Sequence, residues 1–229
     1  MDLIGTGLYP LKQAARLVGA KPRSVQRWML GYKRNHLGQS TSSGPLWRTQ
    51  YDADDLPDHA ISFLDLLELR MVAAFVRHGV SLQVIKATAD AARVSFGSNY
   101  PLTNKKFLTD GRRIFLEAVE KSGEEKLVDV VKQQYMLRDI IHPSLHSGIE
   151  YGDEVASRWF PMGGKNRQVV LDPKVQFGSP VVTEVGIPTD TIYAAFIAED
   201  RDRRTVAKIY NITTQQVDAA VAFEVKLAA

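Results

Sequence analysis

The chain has 229 residues, 45% of them hydrophobic and 24% charged, a net charge of +3 and no cysteine. That length buries a sizeable core in one or two domains, and the missing cysteine excludes disulfides, iron–sulfur clusters and cysteine-ligated zinc. Apolar runs are short, as Met71 to Val76 between Arg70 and Arg77 is, and fall far below the roughly 20 residues of a membrane span. The first residues lack the basic region and apolar core of a signal peptide, so the cytoplasm is the expected location. The charge is unevenly spread. Residues 1–50 carry eight basic side chains and one acid, Asp2, a surplus of +7. Residues 51–160 carry 13 bases and 17 acids, and residues 161–229 balance. A basic head on a mildly acidic body is the distribution a phosphate-binding module needs.

Leu11 to Leu30 has the spacing of two short helices crossing at a tight turn. Ala15 is small where the helices must touch. Gly19, four residues on, tolerates positive φ, and Val25, six further, points back into the first helix with Trp28 one turn beyond. Val18 and Ala20 complete the internal contacts, and Pro22 suits the first turn of the second helix. The second helix then turns Lys21, Arg23, Ser24, Gln26 and Arg27 outward, a donor-rich set of the kind that reaches bases and phosphates in the major groove. The plainer alternative is a packing hairpin with a solvated basic face. Gly31 to Tyr51, with Lys33, Arg34, Trp47, Arg48 and Tyr51 among Gly, Ser and Thr, reads as a loop or β-hairpin wing beside that groove. Arg23, Gln26 and Arg27 are the candidate base readers; Lys12, Lys21, Lys33, Arg34 and Arg48 are the candidate phosphate contacts.

Beyond the wing come Tyr51-Asp-Ala-Asp-Asp-Leu56 and then Ile61 to Lys86. In the latter, Phe63, Leu67, Met71, Ala74 and Phe75 form one helical stripe, and Leu82, Ile85, Ala89 and Ala92 another. Gly79 ends the first helix and Ser81 caps the second. Residues 8–95, with this helix-turn-helix, wing, Tyr-x-x-x-Asp-Leu stretch, long helix and Gly79-Val80-Ser81-Leu82-x-x-Ile85, resemble the winged helix-turn-helix of MerR-like regulators. The ligand cysteines and long coiled coil of the metal- and drug-sensing members are missing.

Further on, Lys106 to Leu116 carries Asp110-Gly111 between apolar runs, the signal of a hairpin turn. Glu124 to Ile141 reads as a helix, and Ile149–Tyr151, Ala156–Pro161 and Gln168–Leu171 as short strands. Near the end, Ala207, Asn211 and Val217 repeat the four-then-six spacing of Ala15, Gly19 and Val25, and Asn tolerates a left-handed turn. The outer face there, Gln215, Gln216, Asp218 and Ala219, has no positive charge, and Arg201, Arg203 and Arg204 alternate with Glu199, Asp200 and Asp202. That favours a dimerisation or partner-binding unit over a second DNA contact. Tyr193, Phe196, Ile197, Ile209, Val221 and Phe223 are its candidate core or interface groups. Gly178-Ser-Pro180-Val181-Val182, the turn Gly186-Ile187-Pro188-Thr189 and the ending from Thr205 to Glu224 resemble a small helical domain of bacterial antitoxins, the domain of unknown function 433. Together the two halves resemble a VapB-type antitoxin. That resemblance implies a homodimer that binds an inverted-repeat operator on double-stranded DNA, autoregulates its operon and neutralises a PIN-domain ribonuclease. A MerR-like dimeric regulator without a toxin partner is the alternative.

Catalytic signals are weak. His142 and His146 are four apart, but Pro143 breaks the helix that would align them, so they read as solvent-facing loop residues. Met162 to Arg167 lacks the pattern of a phosphate loop and reads as a hairpin turn. Glu150, Asp153 and Glu154 read as a solvated loop. No catalytic residue, metal or cofactor is expected. The expected fold is α+β and mainly helical: a winged helix-turn-helix over residues 1–95, a small α+β connecting region with short antiparallel strands over 96–168, and a trihelical, helix-turn-helix-like domain for dimerisation or toxin binding over 169–229.

Overall fold

Four apolar residues at helical spacing, Leu11, Ala14, Ala15 and Val18, are the buried face of helix α1 (Leu11–Val18) in the computed structural model, which describes residues 5–36, 39–51, 59–122, 146–163 and 166–228. The chain forms two compact units, Tyr9–His146 with Asp153–Ala156, and Met1–Leu8 with Ser147–Gly152 and Ser157–Ala229. Each is taken by itself.

In the first unit α1 ends on Gly19 at φ 66°, ψ 41°, whose N–H reaches the carbonyls of Ala15 and Arg16. The left-handed residue turns the chain into α2 (Pro22–Leu30), with Pro22 in its first turn and Val25, Trp28 and Met29 buried. A two-stranded antiparallel wing follows, β1 (Tyr32–His36) on β2 (Gln39–Ser43), with Lys33 opposite Ser42 and Arg34 opposite Thr41. The expected hairpin is present. Helix α3 (Phe63–Arg77) packs on α1, and α4 (Leu82–Phe96) packs on α3. Phe63, Leu67, Met71, Ala74 and Phe75 are all buried, as are Ile85, Ala89 and Ala92; Leu82 is half-buried. Ser81 caps α4 by accepting the Val84 N–H at 3.2 Å.

The hairpin expected at Asp110-Gly111 is a helix instead, α5 (Phe107–Ser122). Phe107, Gly111, Ile114, Phe115 and Ala118 are buried along one helical face, and Phe115 stacks on Phe75 with centroids 5.7 Å apart. Tertiary packing overrides the local turn signal. Gly111 has its own reason: a Cβ there would lie 2.8 Å from the Phe107 ring. The helix expected over Glu124 to Ile141 lies outside the described residues.

In the second unit β3 (Ile149–Tyr151) pairs with β4 (Ala156–Trp159), and β5 (Val169–Val170) pairs antiparallel with β6 (Val181–Val182). Both β4 and β5 are shorter than expected from the sequence, with a bridge from Trp159 to Leu171 beyond them. Three helices complete the unit: α6 (Thr189–Ala198), α7 (Arg203–Tyr210) and α8 (Thr214–Ala228). Val182, Ile192, Val206, Ala207, Val217 and Ala220 form their core. Asn211 takes φ 52°, ψ 48° and bonds Ala207 and Lys208 as Gly19 bonds Ala15 and Arg16. The match extends one residue further: Ala20 N–H to Ala15 O and Ile212 N–H to Ala207 O are both 2.9 Å. The helix-turn-helix geometry is therefore built twice.

Two carboxylates are buried on successive turns of α3. Asp65 completes a capping box with Ser62. Glu68 accepts the Thr103 N–H and hydroxyl, each at 3.0 Å, just ahead of α5. Burial pushes Glu68 up from its ordinary 4.5 to about 8, with the nearby Asp65 adding to the rise; burial also raises Asp65 and Tyr100. Glu68 is thus neutral in the folded protein at pH 7. The unfolded chain loses that proton first, so the stability Glu68 contributes is complete below about 4.5 and lost as pH rises through about 8. Glu68→Gln, neutral at every pH, is expected to melt increasingly above the wild type as pH is raised from about 5 to about 9. Melting curves that stay parallel over this range refute the buried-acid account.

Candidate nucleic-acid interface

The lock between α1 and α2 decides which side chains face out. Val25 is fully buried and Trp28 is 7% exposed, so helical geometry turns Lys21, Arg23, Gln26 and Arg27 to solvent, and all four are exposed. Ser24 is half-buried at the edge of this face. Lys12 on α1 is exposed, as is Arg16 one turn later. The sequence reading missed Arg16, although its i, i+4 relation to Lys12 was the signal. Lys12, Arg23 and Gln26 line one cleft of about 290 Å³ with Pro10, Leu11, Pro22 and His59, which brings a cation of the first helix beside the outward face of the second. Lys33 and Arg34 are on β1 of the wing. Arg48, beyond the wing, is exposed.

Two further contacts fix this surface. Leu46 donates its N–H to the Trp28 carbonyl at 2.9 Å, joining the end of the wing segment to the last turns of α2. Arg77, at the end of α3, donates from Nη1 to the Val18 carbonyl at 3.1 Å, filling an acceptor that the end of α1 leaves open. Among the described residues no group of three or more His, Asp or Glu side chains forms a metal-binding cluster, and no helix is long and apolar enough to cross a membrane.

Several sequence readings are corrected. His146 is buried, not solvent-facing; desolvation and then the charge of Arg70 push it down to about 4, so it is neutral at pH 7. His142 lies outside the described residues. Ala20 is half-buried and only partly internal. Of the acidic cluster, Asp153 and Glu154 are exposed, but Glu150 is half-buried and engaged by Arg167 and Arg158. On α8 Gln215 and Asp218 face outward, whereas Ala219 is buried because α8 packs against β5 and β6. Gln216 is half-buried and accepts the Thr213 N–H. Asp218 pairs with Arg203 at 3.0 Å, and Asp202 is spent on the start of α7, where the Thr205 hydroxyl and Arg204 N–H hold its carboxyl below the usual range. The outward face of α8, at Gln215 and Asp218, is neutral to acidic, although Arg204 and Lys208 are exposed on α7; the outward face of α2 is cationic.

Residues 7–89 match the family described as "Putative DNA-binding HTH domain", and residues 169–223 match "Protein of unknown function (DUF433)". Among curated proteins, "Putative antitoxin VapB45" of Mycobacterium tuberculosis is 27% identical over 223 residues, 93% of this chain and 92% of that protein. The chain resembles a VapB antitoxin from end to end. The fold is also that of a solved structure: the crystal structure of Rv2018 from Mycobacterium tuberculosis superposes with a TM-score of 0.65 over 95% of this chain and 99% of that one. At 21% identity the superposition bears on the fold alone. The exposed cations Lys12, Arg16, Lys21, Arg23, Arg27 and Arg48 fall within the first matched segment, and Asn211 falls within the second.

The repeated turn yields a test. Gly19→Val places a β-branched residue at φ 66° with its Cβ 3.3 Å from Arg77 Nη1, and is expected to cost about 1–2 kcal/mol or more. Gly19→Asn is expected to lose appreciably less, since Asn211 holds the same conformation 192 residues later. Chemical denaturation of the two variants measures the difference; equal losses contradict the left-handed requirement.

Proposed function

We propose that this protein is the antitoxin of a type II toxin–antitoxin system, which binds operator DNA as a homodimer, represses its own operon and neutralises a PIN-domain ribonuclease. The observation that carries the DNA-binding part is the outward face of α2, where the exposed donor-bearing side chains Arg23, Gln26 and Arg27, with Lys21 at the helix cap, are held by the burial of Val25 and Trp28. Helix α2 enters the major groove, Arg23, Gln26 and Arg27 read bases with Ser24 at the edge, and Lys12, Lys21, Lys33, Arg34 and Arg48 meet phosphates. Residues 1–95 are the DNA-binding part, 96–168 the connection, and 169–229 the part for dimerisation and toxin capture. The likeness to an antitoxin over 93% of the chain and the cation-poor outward face of α8 support a protein partner for the C-terminal part. The protein acts in the cytoplasm by binding, with no catalytic role.

Two heads on a two-fold axis require half-sites about 34–36 Å apart or a multiple of that. With roughly five phosphates neutralised per head, log affinity falls against log salt with a slope of about −4.5 per head. Arg27→Ala is expected to cost about 1–3 kcal/mol on the operator and little on random DNA, while Lys12→Ala weakens both alike. Gel-shift titration with the upstream duplex checks this, and equal losses for Arg27→Ala on both duplexes demote it to a backbone contact. Co-purification of the product of the adjacent reading frame separates an antitoxin from a regulator with no toxin.

A further inference from the structure

The helix cap of α3 has a second attachment that helix formation does not require. Asp65 is fully buried. Its Oδ2 accepts the Ser62 N–H at 3.2 Å and the Ser62 hydroxyl at 2.8 Å, and the Asp65 N–H returns to Ser62 Oγ at 3.1 Å. That reciprocal pair would complete the cap by itself. The same carboxylate also takes the Trp47 indole N–H on Oδ1 at 3.0 Å and the Gln50 N–H on Oδ2 at 3.1 Å. Both additional donors come from the segment beyond the wing, and they flank Arg48.

That short segment is held on every side. Leu46, Trp47 and Tyr51 are each at most 5% exposed. Leu46 N–H is bonded to the Trp28 carbonyl, the Thr49 hydroxyl to the Tyr51 carbonyl at 2.8 Å, and the Pro45 carbonyl accepts the Lys86 ammonium at 3.0 Å. In the middle stands Arg48, exposed. A long cationic side chain on a free loop loses backbone and rotamer entropy when it grips an anion; on a fixed loop the backbone part is already lost in folding.

We propose that Asp65 is a positioning residue for nucleic-acid binding: its buried carboxylate clamps Trp47 and Gln50 so that Arg48 is presented, preordered, to a backbone phosphate of duplex DNA. This rests on the DNA-binding reading above. The clamp links the start of α3, the wing segment and the last turn of α2 through one carboxylate and one carbonyl. It places a phosphate contact at a set distance from the base-reading face.

The test uses the full chain and a random-sequence DNA duplex, because a phosphate contact is blind to sequence. Affinity is measured by fluorescence anisotropy over a series of salt concentrations. Trp47→Phe removes one clamp donor and keeps an aromatic ring, which avoids the wholesale loss of the cap that Asp65→Asn risks. Arg48→Ala is expected to flatten the salt slope by about 0.9 and weaken binding about tenfold. Trp47→Phe is expected to do much the same, and the Trp47→Phe/Arg48→Ala pair no more than Arg48→Ala alone. Trp47→Phe combined with Lys12→Ala is expected to be additive. General loosening of the fold would weaken every combination alike, so this asymmetry separates positioning from structural support. Additivity with Arg48→Ala, or an unchanged slope in Trp47→Phe, overturns the clamp and leaves DNA binding standing. A wild-type protein with no salt-dependent affinity for the duplex overturns both.

Discussion

Two helices can cross closely in so short a span only if one residue adopts left-handed backbone, and the organisation of this protein follows from that constraint. At Gly19 the chain turns, the N–H groups of Gly19 and Ala20 take up the carbonyls at the end of α1, and α2 packs on α1 with Val25 and Ala15 both buried. Once Val25 and Trp28 are inside, helical geometry leaves no choice about which residues of α2 are outside. The cationic face is thus a by-product of the packing face. The contact of Arg77 with Val18 extends the same logic to α3, since the end of α1 needs a donor and a neighbouring helix supplies it.

The turn recurs at Asn211 with the same bonds and a different exterior. In the N-terminal copy the outward positions carry Arg23, Gln26 and Arg27. In the C-terminal copy the same register carries Gln215, Asp218 and Ala219, and Asp218 is already matched to Arg203. A shared backbone solution with different surface chemistry means that the fold does not dictate the partner. Charge and donor placement do. Arg23 and Arg27 on α2 offer a negatively charged duplex two cations, and the equivalent positions of α8, Gln215 and Ala219, offer none.

What could be read before folding divides along the same physical line. Features set by local chemistry were legible: the left-handed turns at Gly19 and Asn211, the cap at Ser81, the stripes of α3 and the outward face of α2. The hairpin expected at Asp110-Gly111 failed because the dipeptide signal is weak beside five buried residues on one helical face and the Phe75–Phe115 stack. His146 was read as a solvent-facing loop residue because Pro143 breaks the helix before it, yet it is buried and feels the charge of Arg70, 76 positions earlier, a long-range fact with no local signature. Asp65 was likewise hidden: a carboxylate three residues after Ser62 looks like a helix cap, and nothing in its own neighbourhood announces Trp47 and Gln50 from 15 or 18 residues away.

The ring of Phe107 lying where a Cβ of residue 111 would be ties two positions of α5 into a single steric unit. Neither can drift alone. A side chain at 111 demands a smaller neighbour one turn earlier, and a smaller neighbour opens a void in a helix whose next turn, through Phe115, braces Phe75 of α3. The two sites should therefore covary across descendants of this sequence, small with large and large with small, while most of the solvated surface of α5 diverges freely.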